Sequence, residues 1–227
     1  MRGFESRYPE DKEDLHDADV LFELASWIND LYNLNEINHS EAITKFKNEY
    51  WKHLDEEFTV AYYVITEALL MADSRVKNMM IATWGKEHRY FNAATGEILS
   101  SAPKDMTGWE HSFDYIWYPI FYDMDTMMGL DNVGYLNKKY DAEDTDDTTF
   151  NGDEVLWKFV RDALPEKIAA AYKNFEEKNA LRKENVLPCF NMNQADLANE
   201  TFYNEDAKYK YIDPFMSNHS GARLFPA

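Results

Sequence analysis

Met71-Ala72-Asp73-Ser74-Arg75-Val76-Lys77-Asn78 is the stretch on which the fold of this chain turns. It closes a helical segment, Thr59-Val-Ala-Tyr-Tyr-Val-Ile-Thr-Glu67-Ala-Leu, and leads straight into a bulky apolar run from Met79 to Trp84. Asp73 and Asn78 stand five residues apart. A short loop with that spacing aims a carboxylate at a nucleophile and, one step later, an amide oxygen at a hard cation. Carboxylate and carbonyl oxygens suit Mg²⁺, which takes few protein ligands and keeps its other positions for phosphate and water.

Downstream, Trp117-Tyr-Pro-Ile-Phe-Tyr-Asp123-Met-Asp125-Thr-Met-Met-Gly129 reads as an apolar strand that delivers a carboxylate at its end, with a glycine following. Helix, Asp/Asn loop, strand, strand and Asp is the chain order of the catalytic parts in protein kinases, where the loop Asp accepts the proton of the attacking hydroxyl while the Asn and the later Asp hold Mg²⁺. On this reading Asp73 is the catalytic base, and Asn78 and Asp123 are metal ligands that also bind the cofactor Mg²⁺-ATP. Asp125 joins the candidate metal set, with capping of its turn as the alternative. Lys77 is a candidate phosphate contact, with a solvated loop lysine as the alternative. Each motif alone is weak, since an Asp followed five residues later by an Asn, or an Asp-x-Asp turn, is common.

Working outward, Asp11 to Asn35 places Val20, Leu24, Trp27, Ile28 and Leu31 at helical spacing. Ser40 is the expected N-cap of a second helix reaching about Lys52. Asp55 is expected to cap a third, with Phe58, Tyr62, Ile65 and Leu69 as its buried stripe. Met79 to Trp84 and Ile116 to Tyr122 read as strands of a small buried sheet. A polar insertion with Gly96, Pro103 and Gly108 separates them. Asp131 to Asp153 is an acidic, turn-rich loop. Its carboxylates Asp141, Glu143, Asp144, Asp146 and Asp147 do not follow the ligand order of an EF-hand. Val155 to Lys178 is helical, broken or kinked near Pro165. The fold class expected is α+β, a mainly helical protein-kinase-like C-lobe with a small β-hairpin carrying the metal Asp.

Composition narrows the function classes. The chain has 227 residues, of which 45% are hydrophobic, enough for one sizeable core. Its 42 acidic against 23 basic residues give a formal charge of −19. Such a charge repels nucleic-acid phosphates and anionic lipid, so no nucleic-acid or membrane partner is expected. The single cysteine, Cys189, excludes an internal disulfide. No signal-like or membrane-spanning run is apparent, and the chain reads as soluble, cytoplasmic or a virion component. The six histidines form no motif, and most read as surface residues.

Three segments together carry a family resemblance. Phe4-Glu-Ser-Arg7-Tyr8-Pro9-Glu10 resembles the aromatic-Glu-x-x-Tyr-Pro-Glu segment preceding a long helix in CotH-type spore-coat kinases. The helix running into Asp73-Ser-Arg-Val-Lys-Asn78-Met resembles their catalytic loop, and Ile116-Trp-Tyr-Pro-Ile-Phe-Tyr-Asp123-Met-Asp125 their metal motif. These segments span most of residues 4 to 175. The resemblance implies ATP-dependent phosphorylation of protein serines or threonines, with Asp73 as catalytic Asp and Asn78 and Asp123 as metal ligands. It further implies residues 1–178 as the C-lobe portion, while residues 179–227, polar and aromatic without a clear period, read from composition as an irregular tail suited to an interface. No Gly-rich phosphate loop or strand-borne lysine precedes the first helix, so a segment or chain bearing an N-lobe is an expected partner beside the protein substrate. The alternative is a catalytically incomplete CotH-like module serving as a structural or interaction component of a large assembly, a spore coat or a phage virion.

Overall fold

The structure, a computed structural model, describes residues 18–76, 78–129, 155–186 and 188. The Phe4 to Glu10 segment, Lys77, the acidic stretch 131–153, residue 187 and the tail from Cys189 onward lie outside the described residues, as does the side chain of Asp125. The chain divides into two compact units, Met1–Tyr172 and Lys173–Ala227. In the second, Asn179 takes a left-handed φ of 54° and its carbonyl accepts from Asn185 Nδ2 at 2.6 Å. Every candidate site residue lies in the first.

Three helices open the described chain: α1 (Ala18–Ile37), α2 (His39–Glu49) and α3 (Glu56–Ala68). From the expected stripe of α1, Leu24, Trp27 and Leu31 are buried. The cap of α2 is Asn38 rather than Ser40: its Oδ1 accepts from Glu41 N, and its Nδ2 donates back to Glu41 Oε2, both at 3.2 Å. That reciprocal pair satisfies a free amide at the helix start and makes the earlier residue the better stop. A 3₁₀ turn, Tyr50–Lys52, follows α2. Asp55 caps α3 as expected, its Oδ1 accepting from Phe58 N at 2.9 Å.

The buried face of α3 differs from the expected stripe. Thr59, Tyr62, Tyr63 and Thr66 are buried, whereas Phe58 is 52% exposed and Ile65 and Leu69 are only half-buried. The reason is that α3 is covered on more than one side. Trp157 stacks on Tyr62 at 5.0 Å, while the guanidinium of Arg75 lies 4.1 Å over the Tyr63 ring. Polar positions are thereby drawn inside.

A short helix α4 (Ala72–Val76) leads to β1 (Met80–Ala82), which pairs antiparallel with β5 (Tyr118–Ile120) in the register Met80↔Ile120 and Ala82↔Tyr118. These are the two strands expected from their apolar runs. The polar insertion between them is itself folded, as a three-stranded sheet of β2 (Tyr90–Asn92), β3 (Glu97–Leu99) and β4 (Trp109–His111) with β2 in the centre. Strands of three residues are too short to show an alternating pattern, which is why they escape a reading by period. Asn92 Oδ1 accepts from Ala94 N at 2.9 Å in the β2–β3 turn, and Gly96 at φ +71° supplies the left-handed step that turn requires. Phe91 stacks on Trp51 at 4.9 Å and fastens this sheet to the helices.

α5 (Val155–Ala163) and α6 (Pro165–Glu177) are separated at Leu164. The break falls where expected: Pro165 cannot continue α5 but suits the first position of a new helix. Leu156, Trp157, Phe159 and Val160 are buried against α2 and α3. Phe159 stacks on Phe46 at 5.6 Å, and Phe46 on Trp27 at 5.4 Å. The first unit is thus mixed helix and small sheets, an α+β arrangement, and among the described residues no helix is long and apolar enough to cross a membrane.

One histidine departs from the surface expectation. His53 is 4% exposed, stacked on Trp27 at 4.3 Å with Phe113 at 4.8 Å. Burial, with the nearby Lys52 and Lys45 adding to it, pushes its imidazole down to about 3.

Candidate functional site

The β1–β5 pair is the device that assembles the site. Asn78 precedes β1 and Asp123 follows β5, so an antiparallel pairing brings both to one end of the hairpin although they are 45 positions apart. There Asn78 Nδ2 donates to Asp123 Oδ2 at 3.1 Å and approaches Asp73 Oδ2 at 3.5 Å. The Asn78 backbone N–H also closes on the Asp73 carbonyl at 2.8 Å. Three of the expected site residues, Asp73, Asn78 and Asp123, therefore converge. Asp73 and Asn78 are half-buried and Asp123 is exposed, so the corner opens to solvent.

Asp73 does not sit on an open loop, as the kinase-like spacing suggested, but on the first turn of α4. The turn is held by one stretch of α3. Thr66 O accepts from Met71 N at 2.8 Å, Tyr62 OH donates to Ser74 O at 2.8 Å, and Thr66 Oγ1 accepts from Arg75 Nε at 2.8 Å. Arg75 is wholly buried, and its Nη2 donates to Tyr63 O and to Glu67 Oε2, each at 2.8 Å. Reading the sequence did not single out Arg75. An arginine two residues after an Asp, in a short polar stretch, carries no mark of burial, and its Thr66 and Glu67 partners lie a helix end away.

Asp123 is held from the same helix. Phe121 stacks on Tyr62 at 4.7 Å, and Met128 N donates to Leu69 O at 2.6 Å. Asp123 adopts φ 50° just before a pair of 3₁₀ turns, Met124–Gly129, that is broken at Met127 and at Met128, where φ is 63°. Left-handed backbone is tolerated by Asp but is an outlier for Met, and residues so placed persist only where surrounding contacts impose them. Tyr122, Met124 and Met128 are exposed apolar side chains on this turn.

No protein-family model matches the chain, and no curated protein or solved structure matches it.

What the corner can hold follows from its donors. Among the described residues, no group of three or more His, Cys, Asp or Glu side chains could hold a metal ion. The side chains that meet at this corner are two carboxylates and the Asn78 amide. Two carboxylates and an amide fit Mg²⁺, which needs few protein oxygens, and misfit zinc, whose sites favour His and Cys. In the present arrangement the Asn78 NH₂ group offers its positive edge to both carboxylates. Asn78 Oδ1 would face a cation between the carboxylates only after the amide turns over, since Nδ2 is the atom directed at both of them here.

Proposed function

We propose that the first unit is the Mg²⁺ and phosphoryl-transfer portion of a protein-kinase-like enzyme, similar to the CotH kinases, acting on serine or threonine hydroxyls of a protein with ATP. The observation that carries the reading is the meeting of Asp73, Asn78 and Asp123 around one amide, from two segments that the hairpin joins. Their order along the chain and their placement, one carboxylate after a helix and the other at the end of a strand, agree with that chemistry.

In this reading Asn78 Oδ1 and the Asp123 carboxylate hold Mg²⁺, with Asp125 and Lys77 as further candidates for metal and phosphate. Bound there, Mg²⁺ neutralises charge on the phosphates being separated. Asp73 accepts the proton of the substrate hydroxyl as its oxygen bonds to the γ-phosphorus. The bond from that phosphorus to the bridging oxygen breaks, and ADP departs with the electron pair. Anchoring of the Asp73 turn to α3 keeps the carboxylate aimed, and positioning is most of what such catalysis consists of. The acidic surface repels free nucleotide, so binding should depend steeply on the divalent cation.

The test is calorimetric titration of the purified chain with ATP, with and without Mg²⁺, beside Asp123→Ala. Heat that appears only with Mg²⁺ and is lost in the variant is the expected result. Metal-independent binding, or binding that the variant retains, removes the reading.

A further inference from the structure

The strongest unassigned feature is the wholly buried guanidinium of Arg75, two residues from Asp73 and three from Asn78. Burying an arginine this completely is costly unless its charge and donors are met. Here Nε meets Thr66 Oγ1, Nη2 meets Tyr63 O and Glu67 Oε2, and the plane lies on the Tyr63 ring. The three acceptor residues belong to a single turn and a half of α3. The same turn takes Met71 N–H on the Thr66 carbonyl and gives the Tyr62 hydroxyl to Ser74 O.

From this geometry we infer that Arg75 is the positioning residue of the site: its clamp on Tyr63, Thr66 and Glu67 fixes the α4 turn so that Asp73 and Asn78 face Asp123. The inference deepens the phosphoryl-transfer reading and rests on it for its functional meaning. Asp73 sits between two pinned points, Met71 and Ser74–Arg75, so its backbone is held on both sides. Asn78 follows because its N–H closes on the Asp73 carbonyl. A lysine cannot substitute, since a single ammonium lacks the planar fork that reaches a hydroxyl, a carbonyl and a carboxylate together. Arg75 touches no reacting atom in this scheme. It acts through the two residues beside it.

Thr66 offers a gentler handle than Arg75 itself. Thr66→Val removes only the hydroxyl that accepts from Nε, while Thr66→Ser keeps it. The readout is the pair of side-chain amide signals of Asn78 in the NMR spectrum of the full chain, assigned by their loss in Asn78→Ala, alongside thermal melting and Mg²⁺-ATP calorimetry. Thr66→Ser is expected to keep the two Asn78 signals in place. In folded Thr66→Val and Arg75→Lys they should move to the positions of a free amide, and Mg²⁺-ATP affinity should fall by about ten- to a hundredfold, the cost typical of losing a residue that orients a ligand. Unchanged Asn78 signals in folded Thr66→Val would overturn the inference and reduce Arg75 to a core contact. If the signals move as expected but the unmodified chain gives no heat with Mg²⁺-ATP, the clamp stands and the phosphoryl-transfer reading falls.

Discussion

Around Trp27, Phe46, Trp157 and Phe159 the chain is held by stacked rings and aliphatic packing, whereas around Asp73, Asn78 and Asp123 it is held by hydrogen bonds, one buried cation and left-handed backbone. The difference is one of tolerance. A packed core accepts replacement by other apolar residues of similar volume, while a polar clamp fails when any single donor loses its acceptor. α3 serves both, since Tyr62 stacks under Trp157 and donates to Ser74 of the site. Core and corner are therefore mechanically joined at one helix, and substitutions can separate their contributions.

The largest expected effect lies in the core. Trp157→Ala, removing a ring that is 1% exposed, should cost about 3–5 kcal/mol in denaturant unfolding and carry the site with it. Arg75→Met should cost about 3 kcal/mol, at the lower end for a broken buried pair because Glu67 keeps partial access to water. A cost as small as that of a surface arginine would break the contrast between the two regions. Asp55→Ala removes the α3 cap and the carboxylate facing Arg89 at 3.0 Å, and should cost about 1–2 kcal/mol in the same assay. It lies at the end of α3 away from the site, so Mg²⁺-ATP affinity should be unchanged.

The smallest effect at neutral pH is expected from His53→Phe, and it grows in acid. The folded imidazole is pushed down to about 3 from an ordinary 6.5, so between those values the unfolded chain takes up a proton that the folded chain refuses. Stability is therefore complete above pH 6.5 and falls as the pH drops toward 3. Melting curves of His53→Phe across that window should lose this component of the decline, and an identical pH slope in both proteins would mean that His53 is hydrated.

Much of this architecture was legible because the signals were strong and local. Asp55 capped its helix, Pro165 broke one, and the apolar runs ending at Trp84 and Tyr122 contained a paired hairpin. Asp73, Asn78 and Asp123 could be grouped because chain order and strand placement constrain where a hairpin brings its ends. Arg75 and His53 were not legible, since a charged or titratable residue announces burial only through partners distant in sequence. The face of α3 was misjudged for the same reason: Thr59 and Thr66 are drawn inside by what covers the helix, not by apolar period.

The most direct measurement replaces Mg²⁺ with Mn²⁺ in the presence of ATP and maps paramagnetic broadening over the backbone amides of the full chain. Mn²⁺ shares the preference for hard oxygen ligands. A metal held by Asn78 and Asp123 beside Asp73 should broaden the amides of these three residues first and at the lowest Mn²⁺, with Asp123→Ala abolishing the effect. Broadening that begins instead in the acidic stretch around Asp141 to Asp147, and survives Asp123→Ala, would contradict a phosphoryl-transfer site at this corner.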